Sequence, residues 1–130
     1  MRSFLAIIIV FFIFSFPAQA EAPLGDWLCT GQSPGDNRTY KGHVSVIRSG
    51  ETFTVMWRFG TSTFIGTGLE MGDHFAVSFM KTGSQEVGLV LLKKQGEQWL
   101  GQWTPMGGQS IGQEKWARMG APNQEVPRKQ

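Results

Sequence analysis

The chain has 130 residues with 17 glycines, five tryptophans, one cysteine and a formal net charge of +2 at pH 7. A polypeptide this short and evenly charged supplies one core rather than two, and it lacks the basic stripe that grips nucleic acid. Cys29 stands alone, so no disulfide forms within the chain and packing must hold the fold.

Arg2 precedes an unbroken apolar run from Phe4 to Phe14, and the segment closes on Pro17, Ala18, Gln19 and Ala20. A charged start, an apolar middle and an A-x-A end are the parts of a secretory leader. The run is shorter than the roughly 20 residues of a membrane span. Cleavage after Ala20 is therefore expected, leaving a periplasmic or secreted protein with no membrane anchor. Removing those 20 residues from 130 leaves 110, and of the 12 Lys and Arg only Arg2 departs. Cys29 follows Asp26 and Trp27, not a lipid-attachment context, and is expected to be buried as free cysteines usually are.

Glycine-bearing turns recur at Gly50, Gly60, Gly72, Gly83, Gly96 and Gly107, about 11 residues apart, the strand-plus-turn spacing of an antiparallel barrel or sandwich. Between them apolar residues alternate with period two: Phe53, Val55, Trp57 and Phe59 share one face, as do Phe75, Val77 and Phe79. Eight strands are predicted: Trp27 to Gln32, Thr39 to Arg48, Thr52 to Phe59, Thr63 to Glu70, His74 to Lys81, Glu86 to Lys94, Gln98 to Pro105, and Gly112 to Met119. Short links make sequence neighbours spatial neighbours.

Within the strands a ring or branched residue is followed two positions later by glycine at Tyr40 and Gly42, Phe64 and Gly66, and Trp99 and Gly101. Interior strand glycine marks strong bending, or a gap over which a neighbouring ring lies. With no helix to cover an open sheet, the expected fold is all-β: one antiparallel up-and-down barrel of eight strands over residues 21–120, a meander of the lipocalin or avidin kind. Residues 121–130, with Pro122 and Pro127, are expected to be a disordered tail. Asn37, Arg38 and Thr39 match the glycosylation triplet, which is read as chance.

The search for chemistry finds little. His43 and His74 lie on the outward faces of their strands with no HxH, HExxH or CxxC beside them, so no metal site is expected. No G-x-S-x-G, P-loop or Rossmann signature is present, and Gly66-Thr67-Gly68 sits inside a strand, where it cannot cradle phosphate. Glu114 shares a face with Gly112 and Trp116 and is expected either to point inward and pair with Arg58 or Arg118, or to lie at the rim. Neither an enzyme nor a cofactor is expected. Trp57, Trp99, Trp103 and Trp116 are the candidate pocket lining, with core filling as the competing use of the same rings.

Tyr40-x-Gly42-x-Val44-x-Val46, Phe53-x-Val55-x-Trp57, Phe64-Ile65-Gly66-Thr67-Gly68, Phe75-Ala76-Val77-Ser78, Gly101-x-Trp103-Thr104 and Gly112-x-Glu114-x-Trp116 together resemble a group of small exported bacterial proteins commonly labelled fibronectin-binding. The likeness runs from Trp27 to Met119, and its motifs are scaffold residues. It implies an exported, non-enzymatic all-β domain that binds a protein partner, and it carries over no contact residues. The resulting expectation is a binding module for an extracellular protein. Two alternatives remain beside it: a carrier of a small apolar ligand, or an inhibitor of an extracytoplasmic hydrolase that inserts the Ser33 to Asn37 loop or the tail.

Overall fold

The computed structural model describes residues 13 and 21–120; the expected leader, apart from residue 13, and the expected 121–130 tail lie outside the described residues. Eight strands form: β1 (Gly25–Gln32), β2 (Thr39–Ser49), β3 (Thr52–Phe59), β4 (Ser62–Met71), β5 (His74–Lys81), β6 (Val87–Gln95), β7 (Gln98–Pro105) and β8 (Gly112–Arg118). Each pairs antiparallel with the next, and β8 returns to β1 with Trp116 opposite Cys29, closing the cylinder. The sequence reading places all eight, with ends displaced by a residue or two: β1 begins at Gly25, and β6 runs from Val87 to Gln95.

Four hairpins turn on two residues, with Gly50, Gly60, Gly72 and Gly96 first in each loop. Each of these glycines has φ near +60°, whereas the residue after it does not have positive φ. That is the pattern of a type II′ turn, whose twist matches the flanking strands. Nothing lies within 4 Å of where a Cβ would stand at these four positions, so the backbone angle rather than crowding selects glycine.

The alternating apolar residues point inward, and Val55, Phe75, Val77, Leu92 and Trp116 are fully buried. Edge-to-face ring contacts run the length of the interior. Phe53 meets Phe75 at 5.4 Å, Phe75 meets Trp116 at 6.2 Å, Trp116 meets Trp57 at 6.0 Å, and Trp57 meets Phe79 at 6.0 Å. From Phe79 the chain of rings continues to Phe64 and Trp103. Such tilted pairs are the favoured geometry for aromatic quadrupoles.

Of the three glycines singled out from sequence, Gly42 lies under the Phe59 ring, whereas a methyl at Gly66 or Gly101 would strike Val77 or Leu92 and a neighbouring backbone carbonyl; rings also cover other strand glycines. Phe79 lies opposite Gly88 and Trp103 opposite Gly112, each close enough that a methyl on the glycine would strike the ring.

The two ends of the barrel differ. At one, Ala22 and Pro23 are buried, Trp27 Nε1 donates to the Pro23 carbonyl at 2.9 Å, and Arg118 donates to the Leu24 carbonyl at 2.8 Å. The Arg118 guanidinium also lies 4.0 Å from the centre of the Trp27 ring. This end is closed. At the other, the 33–38, 60–61, 82–86 and 106–111 loops surround an open mouth.

Candidate functional site

A cavity of about 260 Å³ opens at that mouth. Its walls are the rings of Tyr40, Trp57, Phe59, Phe64, Phe79 and Trp103, contributed by five strands. Ser33, Ser62 and Glu86 stand among its lining, and Glu114 forms part of it from β8. The period-two pattern supplies the rings: Trp57 and Phe59 are successive inward positions of β3, and Phe64 and Phe79 occupy inward positions on β4 and β5.

Glu114 is the one buried charged side chain among the described residues. Its carboxylate gathers neutral donors. Tyr40 donates its hydroxyl to Oε1 at 2.8 Å, while Trp116 and Trp57 donate their indole N–H groups to Oε2 at 2.9 and 3.2 Å. The Cys29 thiol adjoins the same group.

Backbone register explains how Tyr40 reaches it. Gly31 on β1 lies between Tyr40 of β2 and Glu114 of β8. A side chain at Gly31 would collide with the phenol, so the glycine opens the path along which the hydroxyl reaches over the inner face of β1. On its other flank Glu114 faces Gly101.

Burial pushes the Glu114 carboxyl above its ordinary range, and hydrogen bonds from Trp116, Tyr40, Cys29 and Trp57 pull it back only partway. Burial, followed by the nearby Glu114 charge, drives the Cys29 thiol and the Tyr40 phenol strongly upward. Both stay neutral at any ordinary pH.

Trp103 presents the complementary feature. Its Nε1 is buried against Gly112 and lies near the Tyr40 hydroxyl, without a hydrogen bond of ordinary geometry among the described residues. Indole N–H groups normally find an acceptor when buried.

The four tryptophans singled out from sequence therefore divide. Trp57 and Trp103 line the cavity; Trp99 and Trp116 do not, and pack as fully enclosed core against Phe75. The expected pairing of Glu114 with an arginine is corrected. Arg58 faces outward and exposed, and Arg118 is engaged at the closed end, so Glu114 is inward and held by neutral donors alone. Sequence reasoning missed Tyr40 as a partner of Glu114 and the three phenylalanines of the wall. The inward alternation of Phe59, Phe64 and Phe79 was the available signal. His43 and His74 are exposed as expected, with His74 Nδ1 2.8 Å from Asp73, and no metal-binding group of side chains occurs among the described residues.

A larger groove, about 610 Å³, crosses the outside of the wall over Gly31 and Gly101. Lys41, Leu100 and Lys115 border it, and it lacks the ring-walled enclosure of the mouth.

No family model and no curated protein matches the sequence. Among solved structures, the chain is similar to a redesigned β barrel, with 18% identity over 74% of this chain and 90% of that one, and a TM-score of 0.66. The likeness is one of fold. It agrees with the closed antiparallel meander and carries nothing about a ligand.

Proposed function

We propose that this is an exported, non-enzymatic binding barrel that takes a small ligand into its open mouth. The observation that carries the reading is the cavity walled by six aromatic rings, with a buried carboxylate among its lining. Ligand sites combine apolar walls with a few placed polar groups in this way. The volume lies just under the lower end of the usual range of roughly 300–1,000 Å³, which suits a molecule of one or two rings. Native mass spectrometry of gently purified protein, followed by titration of small aromatic compounds against tryptophan fluorescence, tests the reading; a Trp103→Phe variant that binds every compound as the parent does would remove it.

A second reading keeps the protein partner implied by the likeness to fibronectin-labelled proteins. Outward-facing Ile65, Leu69, Met80, Leu89 and Leu91 are exposed on β4, β5 and β6, and cross-strand register sets Ile65 beside Met80. Exposed apolar patches of this kind commonly meet other proteins. Surface plasmon resonance with fibronectin discriminates: saturable binding that Leu89→Lys abolishes favours the patch, and no binding at tens of micromolar removes this version. Export itself is checked by the N-terminal sequence of the mature protein, expected to begin at Glu21.

A further inference from the structure

Building on the cavity reading, we propose that the occupant is a small organic cation, its ammonium group held among the rings of the mouth and balanced by Glu114. Of the side chains that line the cavity, six carry aromatic rings, two are carboxylates, Glu114 and Glu86, and none is Lys, Arg or His. Aromatic faces carry negative quadrupole density, and rings grouped around a carboxylate are the arrangement that recognises quaternary and protonated amines.

The charge at Glu114 is otherwise unbalanced. No salt bridge reaches it among the described residues, and each of its donors is neutral. A buried carboxylate is normally paired with a cation or bound to a metal. Every group that reaches its two oxygens is neutral: Oε2 accepts from two indoles, Oε1 accepts from the Tyr40 hydroxyl, and the Cys29 thiol adjoins the carboxylate. An anion would face Glu86 and oppose ionisation of Glu114, a neutral ligand would leave Glu114 protonated, and a cation alone gives its ionised form a partner.

Entry of a cation also has a protonic signature. The titratable groups facing Glu114 are Cys29 from β1 and Tyr40 from β2, both held neutral. Trp57 from β3 and Trp116 from β8 do not titrate, and Gly101 from β7 has no side chain. Glu86 stands at the rim. Burial favours the protonated Glu114, so a cation that selects the ionised form expels a proton as it binds.

The experiment is a matched titration of the mature protein with choline and with 3,3-dimethylbutan-1-ol, its neutral isostere, followed by calorimetry and tryptophan fluorescence near pH 6. Choline is expected to bind at least tenfold more tightly, with a heat that varies with the ionisation enthalpy of the buffer. Glu114→Gln should abolish the preference, and Glu86→Gln, at the solvated rim where folding is not at stake, should weaken choline two- to threefold. Equal affinities for the two probes would overturn the cation assignment while leaving the cavity as a ligand site. Saturation by neither probe would also overturn it; if neutral aromatic compounds then fail to bind as well, the cavity reading falls with it.

Discussion

Replacing Tyr40 by Phe isolates one bond that spans β1 on the inside of the barrel. The ring keeps its contacts with Phe59 at 5.1 Å and Trp103 at 6.0 Å, and only the hydroxyl that donates to Glu114 Oε1 at 2.8 Å is lost. Hydrogen bonds to charged groups contribute about 1.5–3 kcal/mol, and a buried acceptor left unmet costs a similar amount. A loss of about 2 kcal/mol is expected, which for a domain of this size lowers Tm by roughly 10 °C. The loss must also depend on pH, because the bond favours the ionised carboxylate: it should be smaller near pH 4, where Glu114 is protonated, and reach its full value in alkaline solution. Urea unfolding at pH 4 and pH 8.5 measures both. A penalty below about 0.5 kcal/mol at pH 8.5, or one of equal size at the two pH values, would refute the account of Glu114 as an acceptor supported by Tyr40.

The parent protein should show the linkage directly. A carboxyl whose folded pKa is raised contributes stability that is fully present below its unfolded value near 4.5 and is lost as pH rises through the folded value; Glu114→Gln should remove that part of the pH slope in urea midpoints. Trp116→Phe and Trp103→Phe should differ although both remove an indole N–H: the first deprives Glu114 of a donor at 2.9 Å and should cost about 1–3 kcal/mol, while the second removes an unpartnered group and should cost under about 1 kcal/mol by thermal melts. Gly112→Ala should destabilise by about 1–3 kcal/mol in the same assay, since its methyl would lie 2.5 Å from Trp103 Nε1 and 2.6 Å from the Gln32 carbonyl. Cys29 is fully enclosed and its thiol is pushed upward, so Ellman's reagent should leave the folded protein unmodified at pH 8 and react fully only in guanidinium; rapid reaction without denaturant would contradict its placement.

Much of the fold was legible because a barrel is a periodic object. Alternation along β3 and β5 marks inward residues without knowledge of any neighbour, and turn glycines at regular spacing locate the hairpins. The strand glycines pointed to bending or to a gap for a neighbouring ring, but not to which side chain would lie there, because that depends on register across a pair: Phe79 covers Gly88, one strand away, while Val77 and Leu92 crowd Gly66 and Gly101. The candidate site was legible in part for the same reason. Its carboxylate is visible as an acidic residue in an inward position, whereas its donors Tyr40 and Trp57 lie 74 and 57 residues earlier and meet it only after the cylinder closes. Local patterning therefore suggested an arginine where the folded chain supplies a phenol and two indoles. The division of the tryptophans between wall and core likewise follows from depth along the barrel axis, which alternation does not encode.

The seam between the first and last strands joins the residues farthest apart in sequence of any paired strands in the barrel. β8 carries Glu114 and Trp116, and β1 pairs with it across nearly the whole length of the barrel. Until that final ribbon arrives, the growing sheet has two raw margins and the pocket has no acidic base. Rings already laid down on β2 through β7 must wait on an incomplete surface, and contacts so distant in sequence are slow to form. Binding competence should thus appear all at once, with the last hairpin, rather than accumulate as the strands are added.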